Sequence, residues 1–223
     1  MKARQAGFTL VEIAIVLVII GLLLGGILKG QEMITQAKIK NVIADFSGVS
    51  AAYHGYQDRY RAIPGDDPNA ATRWAVAPAA TAGNGNGVVA GAYNSATATD
   101  ESRLWWEHLR RAGFVSGNGT QQPFNALTGL IGVQTGDGQA AVGPTMLNAA
   151  GGNGFVGLIM CSANLPDKIA IAVDTQMDDG ASNLGTVRAL LQAAPNPAIG
   201  AAQVATAAYA ETSTNIYTIC RSL

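Results

Sequence analysis

The sequence predicts an α+β protein in which one very long N-terminal helix packs against an antiparallel β-sheet head. Three observations support this fold class. Residues 8–28 form an apolar run with a single charge. An amphipathic repeat continues from that run to about Tyr60, and short apolar runs rich in β-forming residues follow in the C-terminal part. The chain has 223 residues, which suits one anchor and a head of roughly 150 residues.

The apolar run at residues 8–28 is long enough to span a membrane once, because at ~1.5 Å per residue it measures roughly 30 Å. The basic residues Lys2 and Arg4 precede it. The positive-inside rule keeps that end in the cytoplasm and sends everything after Lys29 outward. A cut after Gly7 would leave the apolar helix on the mature protein, whereas processing of a secretory signal peptide removes it.

Glu12 is a carboxylate inside this apolar run. Placing a charged side chain in a membrane-spanning helix costs ~2.5–3.5 kcal/mol by insertion scales, so we expect Glu12 to have an interaction partner or a function. A cut after Gly7 would create an α-amine on Phe8, protonated at neutral pH and about 6 Å from Glu12 along the same helix. The Phe8 amine of a neighbouring chain could reach Glu12 more directly. The alternative is that Glu12 snorkels to the lipid headgroups.

The string GFTLVE followed by an apolar helix resembles the N-terminus of the type IV pilins, which include the pseudopilins of type II secretion. The resemblance covers roughly residues 1–60. It implies a leader at residues 1–7, cleavage between Gly7 and Phe8 by a prepilin peptidase, and N-methylation of Phe8. It also implies a helical fibre with Phe8 and Glu12 as the assembly residues.

The resemblance further implies the partners and the location of the chain. The partners are other copies of the chain, the prepilin peptidase, the inner-membrane assembly machinery and membrane lipid. Before assembly the chain would sit in the bacterial inner membrane with its head in the periplasm, and afterwards in an extracellular filament. Residues 8–28 would form the fibre core.

The second half of the long helix, residues 29–62, is amphipathic. Its apolar residues recur at three- and four-residue steps and predict a buried face: Ile39, Val42, Ile43, Phe46, Val49, Tyr53, Tyr56 and Tyr60. The segment from Ile63 to Pro68 contains two prolines and a glycine, which should stop the helix and begin the head, residues 63–223.

Glycines replace a proline that many type IV pilins carry about three turns after the glutamate. Lys29 stands at that point, and no proline precedes Pro64. The glycines of this region are weak helix positions: Gly21, Gly25, Gly26 and Gly30. Any unwinding of the helix is therefore expected around Gly25 to Gly30, and close helix packing is the alternative role for these small residues.

The first part of the head combines turns, an excursion and a helix. Asp66, Asp67 and Asn69 have turn composition, with a metal loop as the alternative. The Gly- and Ala-rich composition of residues 75–97 predicts a long exposed loop, an excursion from the body of the head.

The run TDESRLWWEHLRRAG predicts a helix with Thr99 or Asp100 as its cap and Gly113 as its stop. Its core-facing residues should be Leu104, Trp105, His108 and Leu109. His108 and His54 are interpreted as packing residues, because neither has a partner at metal-binding spacing.

Three short apolar runs predict the antiparallel sheet: FVGLIMC at 155–161, KIAIAVD at 168–174 and IYTIC at 216–220. The two cysteines, Cys161 and Cys220, lie in the first and last runs. An even number of cysteines in an exported domain favours a disulfide between them, and two buried free thiols are the alternative. Pilins commonly close a disulfide-bounded C-terminal region, so the resemblance agrees.

An acidic segment lies between the cysteines, with Asp174, Asp178 and Asp179 close together in the sequence. Three carboxylates suit calcium, which some pseudopilins bind in their heads, but the spacing fits no EF-hand. The alternative is a turn with surface acids. We therefore expect no cofactor, with calcium at these residues as the open alternative.

Composition and motifs argue against an enzyme or a nucleic-acid-binding protein. The formal net charge is −1, which provides no basic footprint for nucleic acid. The sequence has no HExxH, GxSxG or P-loop motif. We therefore expect a structural subunit of a surface fibre for adhesion, motility or DNA uptake. A low-copy minor pilin or secretion pseudopilin is the first alternative, and a membrane-anchored extracytoplasmic binding protein or enzyme with an uncleaved leader is the second.

Overall fold

The computed structural model describes residues 9–136, 154–199 and 208–223. The chain forms two compact units, Met1–Lys38 and Ile39–Leu223. Helix α1 (Leu10–Tyr60) runs through the boundary between them. The predicted cleavage site at Gly7 and Phe8 lies outside the described residues.

In the first unit, α1 is apolar on every side from Ile13 to Leu28 and exposes its side chains there, with Leu22 73% exposed. The mean hydropathy of its most apolar stretch is 2.8. Within the described part of the chain, α1 is the one helix long and apolar enough to cross a membrane. The helix is unbroken through Gly25 and Gly30, so this structure shows no unwinding at the position where the sequence would place it.

In the second unit, the remainder of α1 has the amphipathic character that the sequence predicts. Its buried residues follow the helical repeat: Ile39, Val42, Phe46, Val49, Ala52 and Tyr56. The helix ends at Tyr60, where Arg61 adopts a left-handed backbone with φ 55°. Pro64 then prevents the helix from continuing. Both the predicted face and the predicted end are confirmed.

In the described part of the head, three shorter helices and a four-stranded sheet follow: α2 (Ala70–Arg73), α3 (Glu101–Arg111), β1 (Ile131–Thr135), β2 (Leu158–Pro166), α4 (Asp167–Met177), β3 (Val187–Leu191) and β4 (Ile216–Ser222). The strand order is β1-β2-β4-β3, and every pairing is antiparallel. The apolar residues of α1, α3 and α4 share one buried cluster with those of the sheet. This arrangement confirms the α+β, pilin-like fold class.

Helix α3 matches its prediction closely. Asp100 is its N-cap residue, although its side chain makes no capping hydrogen bond and instead accepts one from Ser95 Oγ at 2.5 Å. At the other end Gly113 has φ 82° and donates to the carbonyl of Arg110, while Phe114 donates to that of Leu109. This pair of bonds is a Schellman motif, which explains why the helix stops at a glycine.

The predicted strand at residues 168–174 is wrong, because this segment lies in α4. Ile169, Ala170, Val173 and Asp174 are buried, and this i, i+1, i+4, i+5 spacing defines one face of a helix. The alternation of Ile169, Ile171 and Val173 suggested a strand, but the alanines between them favour a helix. Asp167 also fits a first helical turn, where a carboxylate is stabilised by the helix dipole.

The remaining sheet differs from prediction at several points. The run at 155–161 begins its strand only at Leu158, and β1 and β3 arise in segments that carried no strand prediction. The excursion at residues 75–97 is not wholly exposed, since Ala80, Val89 and Tyr93 are buried. It covers the edge of the sheet, where Val89 and Thr135 exchange backbone and side-chain hydrogen bonds.

Candidate functional site

The start of α1 is closed by a reciprocal pair of hydrogen bonds between Thr9 and Glu12. Thr9 donates its backbone N–H and its hydroxyl to Glu12 Oε2 at 2.7 and 2.8 Å. The backbone N–H of Glu12 donates in return to Thr9 Oγ1 at 3.3 Å. Because α1 begins at Leu10, Thr9 is the N-cap and Glu12 the third helical residue, the arrangement of a capping box.

This capping box gives Glu12 a role that our sequence analysis missed. The signal was present, because GFTLVE contains the T-x-x-E pattern of a capping box directly before an apolar run. Both bonds from Thr9 reach the same oxygen, Oε2. Among the described residues none donates to Oε1, so this oxygen is available to a further donor.

Beyond Thr9, the described residues nearest to Glu12 in the helix are apolar. The helical residues that follow have no other charge until Lys29, which pairs with Glu32 at 2.7 Å. A carboxylate in such a surface has no cation near it within the described part of the unit. The pairing predicted between Glu12 and the Phe8 amine stays a prediction, because Phe8 lies outside the described residues.

The predicted disulfide is present between Cys161 on β2 and Cys220 on β4. The two residues are direct partners in the antiparallel register, and both are fully buried. The bond closes a sequence separation of 59 residues. It therefore ties the last strand of the chain to the middle of the sheet.

The Asp66–Asp67 segment is a buried turn, which agrees with the preferred alternative from the sequence. Asp66 accepts backbone N–H bonds from Gly85 at 2.6 Å and from Gly87 at 2.7 Å. Asp67 is fully buried, accepts from the Tyr56 hydroxyl at 2.6 Å and pairs with Arg73. These bonds satisfy both carboxylates and connect the end of α1 to the loop at residues 83–87.

His108 is a packing residue, as predicted. It is fully buried, its Nδ1 accepts from the Gly65 N–H at 2.9 Å, and its Nε2 lies 2.8 Å from the Thr81 carbonyl oxygen. These contacts define a neutral ring with its proton on Nε2. Burial lowers the pKa of His108. His54 is exposed and lies beside Tyr53.

Asp174 in the last turn of α4 and Asp178 and Asp179 just after it are brought together, with carboxylate oxygens within 4.8 Å of one another. Asp174 is buried and accepts from the Tyr209 hydroxyl at 2.6 Å. Asp178 accepts the backbone N–H of Val187 at 2.9 Å, and Asp179 that of Ala181 at 2.8 Å. Burial raises the pKa of Asp174. The carboxylates therefore serve as acceptors for a turn that leads into β3.

Comparison with known families identifies the N-terminal segment. The family model described as the prokaryotic N-terminal methylation motif matches residues 2–28. This motif is the hallmark of type IV pilins and pseudopilins. The match covers the basic residues Lys2 and Arg4 and the apolar part of α1, including Glu12. No curated protein and no solved structure matches the chain.

The motif indicates the class of protein in coarse terms. Proteins that carry it are generally structural rather than enzymatic. It implies processing by a prepilin peptidase and assembly into a filament. Together with the apolar N-terminal helix, it is consistent with membrane anchoring before assembly. The motif therefore supports a type IV pilin-like or pseudopilin-like protein.

Proposed function

We propose that this chain is a structural subunit of a type IV pilus-like filament. The observation that carries the proposal is Glu12, a charge at the third position of an otherwise apolar helix within a methylation motif. Prepilin peptidase would cleave between Gly7 and Phe8, and Phe8 would then be methylated. The mature chain would keep α1 as its membrane anchor and, later, as its part of the fibre core.

The capping box supports a specific role for each oxygen of Glu12. Oε2 holds the Thr9 cap of its own helix, while Oε1 accepts from the methylated, positively charged Phe8 amine of a neighbour. Both interactions are compatible, because a carboxylate has several lone pairs. The cap also fixes the rotamer of Glu12 before a neighbour arrives, which lowers the entropy cost of pairing.

The energetics explain why a charge is useful in this helix. Lipid tails are as apolar as the side chains of α1, so moving the helix from membrane to fibre gains little from the hydrophobic effect. Glu12 in lipid costs ~2.5–3.5 kcal/mol. Pairing with the Phe8 amine relieves this cost only in the correct register. The ion pair therefore supplies both direction and driving force for assembly.

The location and the partners follow from this mechanism. The chain resides in the bacterial inner membrane, with its head in the periplasm, until the assembly machinery adds it to the filament. Its main partners are copies of itself. We expect no cofactor in the head, with calcium at Asp174, Asp178 and Asp179 as the alternative; the hydrogen bonds that these carboxylates accept support the first expectation.

Mass spectrometry of filaments sheared from the producing cells tests the proposal. We expect an abundant N-terminal peptide that begins at methylated Phe8. If that peptide is found only in the membrane fraction, the chain is instead a low-copy minor pilin or a pseudopilin. An intact leader in every fraction would contradict cleavage and favour a membrane-anchored binding protein or enzyme.

A further inference from the structure

Helix α3 carries Arg103 in its first turn and Arg110 in its last turn. Arg103 is buried and donates to the carbonyl oxygens of Ser95 and Thr120 at 3.0 and 2.7 Å. Arg110 donates to the carbonyl oxygens of Ser116 and Gly119 at 3.3 and 2.9 Å. Neither guanidinium forms an ion pair with a carboxylate of the described residues.

The two guanidinium groups also repel each other. Burial lowers the pKa of Arg110, and the nearby positive charge of Arg103 lowers it further. A pair of partly desolvated cations held by neutral carbonyls is less stable than the same pair with an anion beside it. The third arginine, Arg111, is balanced by Glu107 at 2.7 Å.

The loop at residues 116–120 faces these arginines with its carbonyl groups and leaves its amides free. Ser116 to Gly119 are exposed, and no acceptor in the described ranges bonds the backbone N–H of any residue from 116 to 120. Gly117 and Gly119 have φ 98° and 71°. Left-handed backbone of this kind can gather successive N–H groups into an anion-binding concavity.

The same loop and α3 line a half-open cavity of about 610 Å³, within the size range of small-molecule sites. Its lining is Pro78, Glu107, Arg110, Arg111 and residues 117–120. Two guanidinium nitrogens of this lining, Arg110 Nη2 and Arg111 Nη1, donate to no acceptor among the described residues. Glu107 is already engaged by Arg111, so the cavity keeps an excess of positive charge.

We propose that this cavity binds an oxyanion of the phosphate or sulfate type. Arg110 and Arg111 supply charge-assisted hydrogen bonds from their free nitrogens, and the glycine-rich loop supplies neutral N–H donors. Arg103 remains behind the loop and contributes positive potential without touching the ligand. The two sources of such a group are a free phosphate and a phosphodiester such as a lipid headgroup.

Titration of the full chain in a neutral detergent tests the proposal, with inorganic phosphate and dimethyl phosphate as probes at constant ionic strength. Intrinsic fluorescence is a suitable readout, because Arg110 lies 5.9 Å from the ring centre of Trp106. We expect saturable binding of at least one probe. Tighter binding of inorganic phosphate identifies a free phosphate as the ligand, and equal binding of the diester identifies a headgroup-like ligand.

Two variants and two controls test whether the probes bind in this cavity. Arg110→Gln should weaken binding about tenfold, since a charge-assisted hydrogen bond contributes about that factor. Asn118→Asp adds a negative charge to the exposed loop, keeps the arginines that hold the loop, and should weaken binding at least as much. Arg221→Gln and Asn41→Asp make the same changes elsewhere in the unit and should leave binding unchanged.

Two results would overturn the proposal. One is the absence of saturable binding of either probe to the unmodified chain. The other is equal weakening in Asn118→Asp and Asn41→Asp, which would show a general charge effect. In either case Arg103 and Arg110 serve only to hold the loop in place.

Discussion

Arg73→Ala tests the buried ion pair that holds the end of α1 against the head. The Asp67 carboxylate is fully buried, with Oδ2 at 2.6 Å from the Tyr56 hydroxyl and 2.5 Å from Arg73 Nη1. Its other oxygen accepts the Asn69 N–H at 2.8 Å. Removing Arg73 leaves a buried negative charge with two neutral donors and no cation.

The expected cost follows from the burial of each partner. Breaking a buried ion pair by removing one member costs about 3–5 kcal/mol. The Arg73 side chain is 25% exposed, so water replaces part of its interaction, and we expect a loss of about 2–3 kcal/mol. For a domain of this size that corresponds to a fall in Tm of about 4–12 °C.

The loss of unfolding free energy in Arg73→Ala should depend on pH, because it depends on the charge of Asp67. Burial raises the pKa of Asp67, but hydrogen bonds from Tyr56, Arg73 and Asn69 outweigh burial and lower it overall. The carboxylate therefore stabilises the fold above its unfolded pKa of about 3.9 and ceases to do so as the pH falls through its folded pKa. The difference in free energy of unfolding between Arg73→Ala and the unmodified chain should be largest at neutral pH. It should become smaller below about pH 4.

Urea unfolding followed by tryptophan fluorescence measures this effect, because Trp74, Trp105 and Trp106 all lie in the Ile39–Leu223 unit. Arg59→Ala is the matched control. Arg59 lies over the Tyr60 ring at 5.2 Å, as Arg73 does at 4.2 Å, but pairs with no described carboxylate. Equal losses of unfolding free energy in Arg73→Ala and Arg59→Ala would refute the reasoning. A difference between Arg73→Ala and the unmodified chain that is as large at pH 3 as at neutral pH would also refute it.

Three further predictions concern the disulfide, the buried histidine and the acidic turn. Replacing Cys161 and Cys220 by alanine should lower the free energy of unfolding by ~4 kcal/mol; a loss under about 1 kcal/mol in urea unfolding would contradict this. Burial lowers the pKa of His108 in the folded head. The free energy of unfolding should therefore decrease as the pH falls from about 6.5 through the folded pKa. An unfolding free energy that is constant between about pH 5 and 7 would exclude a neutral buried ring. Millimolar calcium should leave the Tm unchanged in both the unmodified chain and Asp179→Asn; a calcium-dependent rise that Asp179→Asn abolishes would make the turn a metal site.

The parts of the fold with local signals were predictable from the sequence. The apolar face of α1 depends on residues three and four apart, and Gly113 at the end of α3 has a specific backbone requirement, so both could be identified. Strands β1 and β3 could not, because their stability depends on partners far away in the sequence. Gly132 in β1 illustrates this, since a Cβ there would lie 2.0 Å from the Tyr93 carbonyl oxygen.

The segment that forms α4 shows how a local signal can mislead. Its alternating Ile169, Ile171 and Val173 fit a strand, and only tertiary packing shows that Ala170 is buried beside Ile169 on one helical face. The candidate functional residues likewise divide into those with a local sequence signal and those brought together only by the fold. The spacing of Gly7, Phe8 and Glu12 is local, whereas the enclosure of Asp66 by the amides of residues 85–87 joins segments about twenty residues apart.

Filament yield from Glu12→Gln tests the central claim most directly, with Glu32→Gln as the control. Both substitutions remove one carboxylate charge from α1, but Glu32 pairs with Lys29 of its own chain. If Glu12 pairs with the Phe8 amine of a neighbour, Glu12→Gln should be processed and methylated yet yield few or no sheared filaments, while Glu32→Gln assembles normally. Normal assembly of Glu12→Gln would contradict the account.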